Sequence, residues 1–174
     1  MIDLNQYGCY WVVPQLFMAG RYPMRDHPVE LHPSVDALME EGIRCFINLT
    51  HPDDDPLPEY ASAFISLLQQ EQLAIHYHRF GILDFDLPSQ DLMIEILDTI
   101  DKQIADKNPV YLHCLAGRGR TGTVVGCWLI RHGVEPGHAL QKIADLRMDL
   151  PVWMKPSPES QDQREFINNW KIGL

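Results

Sequence analysis

The stretch Val110-Tyr111-Leu112-His113-Cys114-Leu115-Ala116-Gly117-Arg118-Gly119-Arg120-Thr121-Gly122 decides how the rest of the chain is read. Val110 to Cys114 is a short apolar run with the composition of a buried strand. Thr121 to His132, closed by Gly133, reads as a helix. Between them lies a turn bearing Gly117 and Gly119, bracketed by a cysteine and an arginine six positions apart. A short glycine-bearing turn at a helix N-terminus can aim successive backbone N–H groups inward, and the helix dipole adds positive potential there. The place therefore suits an anion with the shape and charge of phosphate.

The same field favours the thiolate of a cysteine at the mouth of the turn, which makes Cys114 a candidate nucleophile. Arg120 brings a planar fork of donors able to grip two phosphoryl oxygens and to stabilise the charge of the transferring group. Thr121 is a candidate donor to the sulfur when it leaves. Leu115, Ala116, Gly117, Arg118 and Gly119 complete, with Arg120, the expected anion-binding loop.

Outward from this loop the chain alternates strand-like and helix-like runs. Cys45 to Leu49 and Leu73 to Phe80 read as strands, and Tyr10 to Val13 with Leu16 to Ala19 as an edge hairpin. Ser34 caps a helix that Gly42 ends, and Tyr60, Phe64, Leu67 and Leu68 recur at helical spacing. Met93, Ile96, Leu97, Ile100 and Ile104 trace one stripe behind the capping residue Ser89. Two more helices are expected, from Pro136 to about Met148 and from Ser160 to Trp170. Strands separated by helices need crossover connections. The expected fold class is α/β: one domain over residues 1–174, in three layers, with a central, mainly parallel sheet of about four or five strands flanked by helices on both faces. In such sheets ligands sit beyond the carboxyl ends of the strands, which is where the Cys114 loop falls.

Cleavage of a phosphoester by a thiolate releases an alkoxide or phenoxide, which departs faster when an acid protonates it. The segment Gly81-Ile82-Leu83-Asp84-Phe85-Asp86-Leu87-Pro88-Ser89 follows the Leu73 to Phe80 run and should emerge on the same edge of the sheet as the loop. Asp84 and Asp86 are both candidates, and chemistry alone does not separate them.

The run His113 to Gly122 (HCLAGRGRTG) resembles the His-Cys-x5-Arg-Thr signature of protein tyrosine phosphatases, and a length without large insertions is similar to the dual-specificity branch. The resemblance covers most of the chain. It implies a phosphotyrosine protein phosphatase-like fold and a phosphocysteine intermediate on Cys114, with no metal and no cofactor. It places Asp84, followed after three residues by Pro88, in the position of the general acid. His113 would serve by hydrogen bonding around the loop rather than as a base. Glu159-Ser160-Gln161-Asp162-Gln163 resembles the family's late Glu-Thr-x-Glu-Gln element, with Ser and Asp replacing Thr and Glu. That maps Gln163 onto the glutamine that orients the attacking water, with Gln161 a competing choice and helix capping by Ser160 compatible with either.

The implied partner is a phosphorylated protein or peptide carrying phosphotyrosine, with phosphoserine and phosphothreonine as further substrates. Arg118 is a departure, because several phosphoinositide and phospholipid phosphatases resemble this chain in carrying a basic residue there, which would add positive charge beside the pocket. A phosphoinositide or inositol phosphate is therefore the second substrate class, although Leu115 stands where those enzymes usually carry a lysine. A phosphate-binding module without turnover is the non-enzymatic rival. Arg21 reads either as a rim residue or as an idle surface arginine.

Composition sets the bounds. At 174 residues, with 45% apolar and 22% charged residues, the chain is a globular one able to bury a core. A formal net charge of −10 opposes non-specific binding to nucleic acid or to an anionic membrane, so neither partner is expected. The N-terminal residues lack the basic and apolar runs of an export signal, and the uncharged stretch Thr123 to Ile130 is too short to span a bilayer. A cytoplasmic monomer is the expectation. The remaining cysteines, Cys9, Cys45 and Cys127, read as reduced, buried apolar residues. His76 and His78 read as packing or surface histidines without a third metal ligand, and His51 to Asp55 as an exposed acidic turn.

Overall fold

Five strands, β1 (Tyr10–Val13), β2 (Phe17–Gly20), β3 (Cys45–Thr50), β4 (His76–Ile82) and β5 (Val110–His113), form one sheet in the order β1-β2-β5-β3-β4. The computed structural model describes residues 3–23, 33–54, 74–154 and 156–174; the helix expected around Tyr60 to Leu68 lies outside them. The β1–β2 pair is antiparallel, while β2–β5, β5–β3 and β3–β4 are parallel, as the crossover pattern requires. β5 thus lies at the centre, with a parallel neighbour on each side.

The side-chain period of two divides each central strand between two cores. Phe17, Ala19, Cys45, Ile47, Leu49, Val110 and Leu112 face one side, where they pack with four helices, α2 (Gln90–Ala105), α3 (Gly119–Arg131), α4 (Pro136–Leu146) and α5 (Gln161–Asn168). Met18, Phe46 and Tyr111 face the other, against Val35 and Leu38 of α1 (Val35–Glu40) and Leu4 of a short 3-10 turn. The three layers expected from the sequence are present.

α2 starts where Ser89 Oγ accepts from the Leu92 amide at 3.1 Å, a cap that stabilises by about 1 kcal/mol. Its stripe Met93, Ile96, Leu97 and Ile100 is fully buried, and each such side chain contributes about 1.5–3 kcal/mol. α3 is buried all round from Gly119 to Ile130, because it runs between the sheet and the outer helices. Its far end is tied to α2: Trp128 Nε1 donates to Asp101 at 2.8 Å, and Arg131 pairs with Asp98 and Asp101. The N-terminus of this central helix is consequently held in place relative to the sheet.

Some boundaries differ from the pattern-based reading. β4 runs on to Ile82, past the expected end at Phe80, because Thr50 of the lengthened β3 pairs with Ile82. α3 begins at Gly119 rather than Thr121, which puts Arg120 inside its first turn. α4 stops at Leu146, short of Met148, and α5 covers Gln161–Asn168 rather than reaching Trp170.

Candidate active site

The ends of β3, β4 and β5 deliver three chain segments to one edge of the sheet. Cys114 stands one residue beyond β5 and is 3% exposed. The loop then turns through Gly117 at φ +69°, a left-handed conformation that disfavours any side chain; a Cβ here would also lie 2.5 Å from the Gly20 carbonyl. The end of β2 presses this closely because the Tyr22 amide donates to the Leu115 carbonyl at 3.1 Å. On the other side the buried Arg147 donates to the carbonyls of Gly117 at 3.0 Å and Met154 at 2.7 Å. The loop is clamped between these two contacts.

With its carbonyls so occupied, the loop keeps its donors unspent. The hydrogen-bond ladder of α3 opens with the Gly122 amide to the Arg118 carbonyl at 3.1 Å, and no side chain caps the helix. Among the described residues, the amides of residues 115–121 meet no acceptor. The buried Thr121 hydroxyl also lacks a partner among them. A row of unpaired donors at a helix N-terminus is the electrostatic requirement for holding an oxyanion.

Arg120, 2% exposed, has its guanidinium fixed on two sides. One nitrogen donates to Asp54 at 2.6 Å and to the Ile82 carbonyl at 2.7 Å, and the other meets the Asp84 carboxylate at 3.0 Å. Asp54 is itself only 9% exposed, whereas Asp84 is 54% exposed. A buried guanidinium needs a buried counter-ion, and Asp54 supplies it. This corrects the reading of His51 to Asp55 as an exposed acidic turn: Asp53 is exposed, but Asp54 turns inward, with its carboxylate accepting from the His51 amide at 3.2 Å.

A cavity of about 110 Å³ opens above the loop, lined by Cys114, Leu115, Ala116, Gly119 and Arg120 with Asp84, Phe85, Glu159 and Gln163. The two acid candidates are placed differently: each carboxylate accepts from the next residue's amide, Asp84 from Phe85 at 3.1 Å and Asp86 from Leu87 at 2.8 Å, but of the two it is Asp84 that lines the cavity and meets Arg120. The glutamines differ too: Gln161 bonds Glu165 on the exposed face of α5, while Gln163 is buried. The Gln163 side-chain oxygen accepts from the Glu159 and Ser160 amides, both at 3.1 Å, in a capping box with Ser160. Its amide nitrogen would lie 3.0 Å from a Cβ on Gly119, so the glycine leaves room for it over the loop. Capping and a place at the cavity therefore coexist in one residue.

Arg118 departs from the expectation of added charge at the pocket. Its side chain runs to the Pro156 carbonyl at 3.3 Å and pairs with Glu159 at 3.3 Å. Arg21 is half-buried, with its guanidinium 5.1 Å above the Trp153 ring, and so is neither idle nor at the cavity lining. His113 is fully buried and donates from Nδ1 to the Cys114 carbonyl at 3.2 Å. Burial pushes its imidazole down to about 3, aided by the charges of Arg79 and Arg120, so the ring is neutral and acts as a brace. Burial likewise pushes the thiols of Cys9 and Cys45 up to about 12 and raises that of Cys127. His78 packs beside Gln103 and Phe80, and no group able to hold a metal ion occurs among the described residues.

Sequence reasoning missed Asp54, Arg147, Glu159 and Phe85. Phe85 holds a left-handed backbone, φ +61°, and is 64% exposed at the cavity mouth. The one local signal was the triple aspartate after β3, which pattern alone assigns to solvent.

The residues at this cavity can be set beside known proteins. Residues 21–134 match the family model Tc-R-P, described as "Polymorphic toxin system, DSP-PTPase phosphatase". The chain is 34% identical over 59 residues to the Tyrosine-protein phosphatase cdc-14 of Caenorhabditis elegans, a match covering 33% of this chain and 8% of that protein. It is 29% identical over 152 residues to the human Phosphatidylglycerophosphatase and protein-tyrosine phosphatase 1, covering 82% of this chain and 67% of that one. The crystal structure of Tk-PTP in the active form superposes with a TM-score of 0.67 at 22% identity, covering 92% of this chain and 93% of that chain, and so shares its fold. With the family match extending over most of the described core and through the Cys114 loop, the chain belongs to this DSP-PTPase phosphatase family, in the dual-specificity branch of the protein tyrosine phosphatase superfamily.

Proposed function

We propose that the chain hydrolyses phosphoesters of proteins, phosphotyrosine first and phosphoserine or phosphothreonine as well, through a phosphocysteine intermediate on Cys114. The observation that carries this is the pair of guanidinium contacts at the cavity floor. Asp54 and the Ile82 carbonyl anchor one nitrogen of Arg120, while the other ends on the half-exposed Asp84 carboxylate, where an incoming phosphoryl oxygen can replace it.

In the proposed reaction the Cys114 thiolate attacks phosphorus, the S–P bond forms, and the P–O ester bond breaks. Arg120 and the unpaired loop amides hold the equatorial oxygens and take up their charge. Asp84, released from Arg120 and protonated, gives its proton to the departing oxygen. A water held by the Gln163 amide then attacks the phosphocysteine while Asp84 takes its proton; the S–P bond breaks, and inorganic phosphate leaves. The Thr121 hydroxyl, buried without a partner among the described residues, donates to the sulfur as it is expelled.

Turnover of para-nitrophenyl phosphate in the presence of a chelator tests this reading, with loss of activity and of an acid-stable phosphate adduct expected in Cys114→Ser. Undiminished activity of that variant would reject it. A second reading, a lipid or inositol phosphate substrate, draws on the name of the human relative, a phosphatidylglycerophosphatase as well as a protein-tyrosine phosphatase.

A further inference from the structure

Arg118 and Glu159 form a unit that the reaction above leaves unused. The two side chains are 25% and 29% exposed, and their charged ends lie 3.3 Å apart. Arg118 is also held by the Pro156 carbonyl at 3.3 Å, and its own carbonyl accepts from Ser157 Oγ at 2.7 Å. It is pinned outward, away from the cavity. Glu159, by contrast, lines the cavity, and its second carboxylate oxygen would sit 3.4 Å from a Cβ on Gly119. The pair therefore presents its negative end to the ligand.

The charges at the cavity support the same conclusion. Among the described lining residues, Asp84 and Glu159 are set against Arg120, one of whose nitrogens is already taken by Asp54. The loop amides and the edge of Arg120 that Asp84 yields to a ligand suffice for one phosphoryl group. A second phosphate beside it would meet the Glu159 carboxylate at short range, in a part-buried setting where screening is weaker than on an open surface. The net charge of −10 adds repulsion at longer range.

We infer that Glu159 is a charge gate: by holding Arg118 outward and its own carboxylate inward, it restricts the phosphate loop to singly phosphorylated esters and turns away polyphosphorylated ligands. The inference rests on the phosphoester reading and sharpens its substrate class to monophosphorylated peptides.

The test compares a singly phosphorylated tyrosyl peptide with inositol hexakisphosphate in wild type, Glu159→Gln and Arg118→Gln. Wild type should prefer the peptide. The ratio of kcat/KM for the polyphosphate over that for the peptide should rise roughly tenfold in Glu159→Gln, where the carboxylate is gone and Arg118 is freed. It should fall in Arg118→Gln, where the carboxylate stands uncompensated. A merely structural pair would lower both substrates together and leave the ratio unmoved. An unmoved ratio in Glu159→Gln, shifts of the same sign in both variants, or a wild type that prefers the polyphosphate would each overturn the gate. The same ratio read as dissociation constants in a Cys114→Ser background needs no turnover. Failure of wild type to hydrolyse para-nitrophenyl phosphate thus sinks the phosphoester reading, while the binding ratio still decides the gate.

Discussion

The Asp54 carboxylate lies 2.6 Å from a guanidinium nitrogen of Arg120, although 66 positions separate the two residues in the chain. Both are nearly buried, so removing the acid takes away the buried counter-ion and leaves Arg120 with the Ile82 carbonyl and the half-exposed Asp84 carboxylate. Asp54→Ala should lose about 3–5 kcal/mol of stability. The double variant with Arg120→Ala should lose less than the sum of the two single losses, because the pair acts as one unit. Urea unfolding of the four proteins checks this, and strict additivity would show that the pair is not coupled.

Asp84 and Asp86 should behave differently despite being two positions apart. Asp84→Asn should lower kcat on an aryl phosphate by roughly 10²-fold or more, with a larger effect on substrates whose leaving group is poor. Asp86→Asn should stay near wild type, since that carboxylate accepts from the Leu87 amide and does not line the cavity. Equal losses in the two variants would remove the assignment of Asp84 as the acid.

His113 sets a pH dependence of stability. In the unfolded chain its imidazole takes up a proton below about 6.5, whereas in the fold it stays neutral down to about 3. Acid therefore favours the unfolded state across that window. Stability should be insensitive to this group above pH 6.5 and should fall by up to about 1.4 kcal/mol per pH unit below it. His113→Asn should flatten that part of the curve, whatever its absolute stability. Parallel curves for the two proteins between pH 6.5 and 4 would contradict the buried neutral ring.

The cysteines should divide sharply in reactivity. Cys9, Cys45 and Cys127 are fully buried with raised pKa values, while Cys114 opens onto the cavity. Brief treatment of the native protein with iodoacetamide should label Cys114 alone, and vanadate should protect it. Peptide mapping that found another cysteine labelled first would place the reactive thiol elsewhere.

Much of the site was legible because its logic is local. Strand, cysteine, glycine turn and arginine follow one another from Val110 to Arg120, where the helix is already under way, and the turn cannot take another course without losing Gly117's left-handed backbone. The helix stripes were equally readable: burial of Met93, Ile96, Leu97 and Ile100 follows from their spacing. Strand ends were less so, since β4 reaches Ile82 only through pairing with Thr50, and that extension carries the carbonyl that anchors Arg120.

What the sequence determined by itself is the α/β layering and a glycine-bearing loop poised between a central strand and a central helix, because propensity, periodicity and turn chemistry act over neighbouring residues. The tertiary structure decided which charges that loop meets. It brought in Asp54 and Arg147, set Asp84 and Gln163 rather than Asp86 and Gln161 at the cavity lining, and matched Arg118 with Glu159. Those choices depend on strand register and on where separate crossovers end, and an ion pair joins residues by their distance in space rather than their separation in the chain.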